Sequence, residues 1–82
     1  MLKTYHCDGF RPVTTDSASD AARVFAERMA RSKYGARGAV GALRCDSWSQ
    51  DGRLHVFEAF VGRKSRLNDV DGCNYWLSVR TL

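Results

Sequence analysis

Residues 17–35 carry a complete set of helix signals and lie among segments whose composition favours strands. Ser17, followed three positions later by Asp20, is similar to a capping box, because hydroxyl and carboxylate groups accept the free N–H groups of a first helical turn. Gly35 is typical of a helix end. Apolar residues recur on one side at helical spacing and charged residues on the other. The chain therefore presents one amphipathic helix whose apolar side must pack on something else.

Two short segments before the helix are predicted to form strands. Residues 3–7 and 10–14 flank the pair Asp8-Gly9, which suits the positive φ angles of a tight hairpin turn. Pro12 cannot donate a hydrogen bond to a strand ladder, so we expect the second segment to lie at the edge of a sheet.

A longer hairpin is predicted after the helix. Residues 40–48 and 53–61 are β-rich and flank residues 49–52, which end in the turn-forming pair Asp-Gly. In the second of these strands both alternating sets of side chains are largely apolar, so both faces favour burial. One helix can cover only one of the two faces.

The end of the chain is predicted to contain a loop and a closing strand. Residues 62–73 are polar and rich in turn formers, which is typical of a long loop, and residues 75–79 alternate as a half-buried strand does. The predicted fold class is α+β. A single helix packs on one face of a three- to four-stranded, mainly antiparallel sheet, in one binding domain that spans residues 1–82.

Charge and cysteine content limit the chemistry that we expect. Thirteen basic and nine acidic residues give a net charge of +4, which favours anionic surfaces without establishing nucleic-acid binding. The three cysteines are widely spaced and follow no apolar signal segment, so we expect free thiols in a reducing cytoplasm. Cys45 could act as a nucleophile with His6 or His55 as its base, but no recognisable signature surrounds any cysteine, and we expect that the protein is not an enzyme. We expect no metal site, no cofactor and no membrane attachment.

Exposed cations and aromatic side chains are the candidates for partner binding. The segment around Arg63, Lys64 and Arg66 has no structural reason for its charge, unlike basic residues in a last helical turn, which offset the helix dipole. Arg37 lies in the glycine-rich segment after the helix. The predicted partner-binding residues are Arg37, Arg63, Lys64, Arg66, Trp48 and Trp76.

The order of these elements resembles that of small phage-borne anti-CRISPR proteins directed against type I effector complexes. The resemblance is one of pattern and lies in residues 17–26, 38–44, 51–60 and 76–79. It implies a non-enzymatic inhibitor that acts in the host cytoplasm, docks on a CRISPR effector subunit and blocks nucleic-acid binding or function. The net positive charge departs from the acidic, DNA-mimicking members, so charge mimicry of DNA is not expected.

The alternative is a basic nucleic-acid-binding regulator that uses the 62–73 loop and the aromatic side chains of the sheet. The two hypotheses differ in their partner, a host defence complex in one case and DNA or RNA in the other. Self-association stays open as well, because an uncovered face or an unpaired edge of a sheet favours a homodimer.

Overall fold

The computed structural model describes residues 1–65, 67 and 69–81, and its elements place one helix against a five-stranded sheet. The strands are antiparallel and lie in the order β2-β1-β5-β4-β3. The predicted α+β class is confirmed, with five strands where three to four were expected. The elements in chain order are β1 (Lys3–His6), β2 (Val13–Thr15), α1 (Ala18–Tyr34), a 3₁₀ turn (Gly35–Arg37), β3 (Gly38–Trp48), β4 (Leu54–Lys64) and β5 (Val70–Thr81).

The helix begins and ends where its capping residues predict. The Ser17 hydroxyl accepts a hydrogen bond from the Asp20 N–H at 3.1 Å, which satisfies one of the free donors of the first turn. Gly35 has a φ of 70° and donates its N–H to the Arg31 carbonyl. Glycine adopts this positive φ without the steric cost that a side chain would add.

The turn between β3 and β4 is held by a carboxylate. Asp51 accepts hydrogen bonds from the Ser49 hydroxyl at 2.6 Å and from the Arg53 N–H at 3.0 Å. The hydrogen bond from Ser49, together with that from Arg53, lowers the pKa of the Asp51 carboxyl below its ordinary value. The strands of this hairpin are longer than predicted, because β3 begins at residue 38 and β4 continues to residue 64.

The prediction of a long loop over residues 62–73 is wrong. β4 and β5 pair continuously from Leu54 opposite Arg80 to Lys64 opposite Val70, so only a short connection separates the strands. Gly62 and Gly72 lie opposite each other in this pairing. A Cβ atom on Gly62 would collide with the Asp71 carbonyl, and one on Gly72 with the Val61 carbonyl. These glycines therefore permit a close approach of two strands, although in the sequence they resemble turn formers.

The core lies between the helix and one face of the sheet. Its largest fully buried side chains are Phe25 from α1 and Phe57, Val61, Leu77 and Val79 from β4 and β5. The helix approaches β3 closely at Gly38, where a Cβ atom would collide with the Ala30 backbone carbonyl. The short distance between α1 and β3 at this point therefore requires a residue without a side chain.

We expect Gly38→Ala to destabilise the protein by about 3 kcal/mol, because the added methyl group must push α1 away from β3. Gly52→Ala is the matched control, since Gly52 also has its own backbone requirement, a φ of 75°, but has no atom within 4 Å of the added carbon. Its cost is about 1 kcal/mol of conformational strain. Urea denaturation of both variants measures the difference, and equal losses would contradict the close-packing role of Gly38.

Candidate partner-binding surface

The sheet presents one face to the helix and leaves the other without a covering element among the described residues. Side chains of a strand alternate between the faces, so the positions between the buried Phe57, Ala59 and Val61 point away from α1. We call this side the open face. It is formed by Leu54, Val56, Glu58 and Phe60 of β4, by Asn74, Trp76 and Ser78 of β5, and by Arg44 of β3.

Trp76 is the largest exposed group of the open face. Its side chain is 56% exposed, although it lies in the middle of a strand that is paired along its β4 side. Leu54 at the end of β4 is 37% exposed, and Val56 between them is half-buried. An exposed tryptophan on a rigid sheet gives a large apolar contact area at little cost in conformational entropy, which is typical of binding surfaces.

A charged pair lies beside Trp76 on the same face. Glu58 is directly opposite Trp76 in the β4–β5 pairing and opposite Arg44 in the β3–β4 pairing, so the three residues form a row across three strands. The Arg44 Nε lies 3.2 Å from the Glu58 carboxylate, and a second carboxylate, that of Asp46, lies 3.6 Å from Arg44 Nη1. Arg44 is mostly exposed, so this pairing adds little stability. It places charged groups in the same row of the open face as Trp76.

One end of the open face is partly closed by the curvature of the sheet. A Cβ atom on Gly41 would lie 3.2 Å from the Phe60 ring and 3.5 Å from the Val70 Cβ, so the beginnings of β3 and β5 both approach Phe60. Phe60 is accordingly half-buried. The surface accessible to a partner is therefore centred on Trp76.

Most of the predicted basic residues come together at one end of the molecule. Arg37 and Lys64 line the same shallow depression, and Arg63 is the register partner of Gly38 in the β3–β4 pairing. We call Arg37, Arg63 and Lys64 the basic end. None of the ion pairs formed within residues 1–65, 67 and 69–81 involves these three cations. Asp71 lies opposite Arg63 on β5 and offsets part of their charge. Arg66, the fourth predicted cation, lies outside the described residues.

The two predicted tryptophans do not share a surface. Trp48 is opposite His55 at the far end of β3, on the side of the sheet that also carries Val79 and the helix, and it is 69% exposed. The length of β3 separates it from the basic end by about 30 Å. The structure therefore divides the predicted site residues among the open face, the basic end and the isolated Trp48.

The cysteines differ in exposure. Cys7 is buried, and Cys45 and Cys73 are exposed. Burial and, to a smaller extent, the charge of Asp8 raise the pKa of the Cys7 thiol. Cys45 is the register partner of Phe57, and its thiol faces the Ser47 carbonyl at 3.5 Å. No three potential metal ligands cluster in the part of the chain that the structure describes.

Comparisons with known proteins find no match: no family model, no curated protein sequence and no solved structure matches the chain. The helix of the described chain is too short and too polar to cross a membrane. The functional argument therefore depends on the geometry of the surfaces themselves.

The exposure of the thiols predicts their reactivity. At pH 8, we expect Cys45 and Cys73 to react with a disulfide reagent at least about tenfold faster than Cys7, because attack requires an accessible thiolate and burial disfavours the thiolate of Cys7. Mass spectrometry of the modified peptides assigns each rate, and full denaturation, in which all three should react quickly, is the control. Rapid modification of Cys7 in the folded chain would contradict its placement in the core.

Proposed function

We propose that the protein is a non-enzymatic inhibitor that docks on another macromolecule through the open face, with Trp76 at the centre of the contact. The observation that carries this proposal is a half-exposed tryptophan in the middle of a sheet face that no described element covers. A partner that covers this face would remove the indole ring from water. Burial of such a ring contributes more than most contacts in an interface.

The partner that we propose is a subunit of a type I CRISPR effector complex in the host cytoplasm. Support for this partner comes from the resemblance in the order of strand, capped helix, hairpin and aromatic closing strand. The protein would act by occupying a surface and so prevent binding or use of nucleic acid by the effector. With a net charge of +4 it does not imitate the charge of DNA, so the contact would depend on shape and on apolar area.

The surroundings of Trp76 fit a protein partner better than a phosphate backbone. Glu58 lies directly opposite Trp76, and a carboxylate at this position repels phosphate groups. Arg44 is already paired with Glu58 and Asp46, so it offers no unpaired charge to an anion. An apolar centre with a polar border is instead typical of protein interfaces.

The experiment is a binding measurement with purified type I effector complexes immobilised on a sensor. We expect Trp76→Ala to weaken binding by at least about tenfold, which is the effect of truncating a central interface residue. Trp48→Ala is the matched control, because Trp48 is the second exposed tryptophan and lies on the other side of the sheet. It should change the affinity by less than about threefold.

Two outcomes would contradict the proposal. If none of the type I complexes binds the chain, the proposed partner is wrong. If binding occurs and Trp48→Ala weakens it as much as Trp76→Ala, the open face is not the contact surface. Circular dichroism of both variants shows that the sheet is intact.

A second function, direct binding of nucleic acid, is favoured by the basic end. Three cations without ion-pair partners among the described residues lie near one depression, and such a group can contact successive phosphates. The opposing Asp71 makes this surface the weaker candidate.

Salt dependence tests this second function. If the basic end binds nucleic acid, neutralising Arg37, Arg63 and Lys64 to glutamine should lower the slope of log K against log salt by about 2 to 3, since each phosphate contact contributes about 0.9. The matched control neutralises three exposed arginines elsewhere, Arg11, Arg23 and Arg53. Equal effects of the two triple variants would show that only net charge matters. A fluorescent duplex and a single strand, titrated at two salt concentrations, provide the measurement.

A further inference from the structure

The depression at the basic end lies on the same side of the sheet as the open face. Its lining residues are Ala36, Arg37, Gly38, Lys64 and Ser65. Lys64 lies three positions after the buried Val61, and side chains alternate along a strand, so Lys64 points away from α1, as Phe60 does. The positive charge of Arg37 and Lys64 is therefore on the side of the sheet that the helix leaves uncovered.

Arg63 belongs to the other side of the sheet. It alternates with Lys64, and its register partner Gly38 lies against the helix backbone. Asp71, which is directly opposite Arg63 on β5, shares the side of Arg63. The carboxylate of Asp71 therefore offsets the charge of Arg63 more than the charge of the depression.

Three donor groups surround the depression. Arg37 and Lys64 each carry a positive charge, and neither takes part in the ion pairs that residues 1–65, 67 and 69–81 form with one another. The Ser65 oxygen accepts a hydrogen bond from the Leu67 N–H at 3.3 Å, so the Ser65 O–H still has its proton to donate. The depression measures about 260 Å³. Small-molecule sites usually offer about 300 to 1,000 Å³, so the depression has room for one charged group.

A phosphate monoester matches these groups in charge and in the number of its oxygens. It carries a charge of about −1.5 to −2 at pH 7 and has three strong acceptor oxygens. A phosphodiester inside a nucleic-acid strand has a single negative charge and two free oxygens. Two cations and one hydroxyl provide one donor group for each oxygen of the monoester. The donor set therefore favours the end of a phosphorylated strand over its interior.

The same side of the sheet lacks a row of cations that a phosphate backbone could follow, as far as the described residues extend. Along β4 from Lys64, the next large side chains on this side are the ring of Phe60 and the carboxylate of Glu58, which repels phosphate. Arg44, the cation of β3 on this side, is already held by two carboxylates. A strand that reaches the depression would therefore make its charged contact at its end.

The charge of the surrounding chain favours a nucleic acid over a phosphorylated peptide. Residues 28–45 include five basic residues and no acidic residue. They form the second half of α1, the 3₁₀ turn and most of β3, next to the depression. The positive potential of this region attracts a polyanion more strongly than a peptide with one phosphate group.

We infer that the depression binds the terminal phosphate of a nucleic-acid strand. Arg37 and Lys64 neutralise the charge of the phosphate, and the Ser65 hydroxyl donates a hydrogen bond to its third oxygen. The inference rests on the second proposed function, direct binding of nucleic acid, and narrows it from contact along a strand to recognition of the end of a strand.

The experiment compares three single strands of one sequence with an internal fluorescent label. One has a phosphate at its 5′ end, one has a phosphate at its 3′ end, and one has hydroxyl groups at both ends. We expect one phosphorylated strand to bind the unaltered chain at least about tenfold more tightly than the hydroxyl strand, because the monoester adds charge and charge-assisted hydrogen bonds.

Variants locate the site. Arg37→Gln combined with Lys64→Gln should reduce the preference for the phosphorylated strand to less than about threefold. The matched control is Arg31→Gln combined with Arg63→Gln, which removes the same charge on the helix side of the sheet. This control should weaken binding of all three strands alike and keep the preference. Circular dichroism of both double variants shows that the fold is intact.

Four outcomes would overturn the inference. Equal binding of the three strands leaves direct nucleic-acid binding standing and removes end recognition, whereas binding of none of them removes both. A preference that survives the change of Arg37 and Lys64 places the phosphate elsewhere on the chain. A phosphoserine peptide that binds as tightly as the phosphorylated strand would assign the depression to a phosphorylated protein.

Discussion

One helix can cover only one face of a five-stranded sheet, and the exterior of this protein follows from that limit. α1 packs against the side that carries Phe57, Leu77 and Val79, where the apolar side chains are buried. The side chains at the alternating positions of the same strands lie on the open face and are in contact with solvent. They do so with a mixture of an ion pair, half-buried aliphatic groups and one exposed indole. The surface that we propose for binding is thus a direct consequence of how the core is built.

Much of the fold could be predicted because its signals are local. The capped helix and the Asp-Gly turn each depend on residues that are close in the sequence, and the structure confirms both. The strand predicted at residues 10–14 does lie at the edge of the sheet, but it covers only Val13–Thr15 and begins after Pro12. The continuation of β4 and β5 through residues 62–73 could not be predicted in the same way. Glycine permits a turn and also permits two backbones to approach closely, and only the contact between Gly62 and Gly72 distinguishes the two uses.

The sequence was enough to choose candidate residues for partner binding, but it did not show which of them lie together in the folded chain. Arg37 and Arg63 are 26 positions apart, and only the β3–β4 register brings the segments that carry them together. Trp48 and Trp76 have the same residue type and similar exposure, yet they lie on opposite sides of the sheet. One register irregularity in β3, between Cys45 and Ser47, lies between Leu43 and Trp48, so simple alternation along the sequence does not give the side of Trp48.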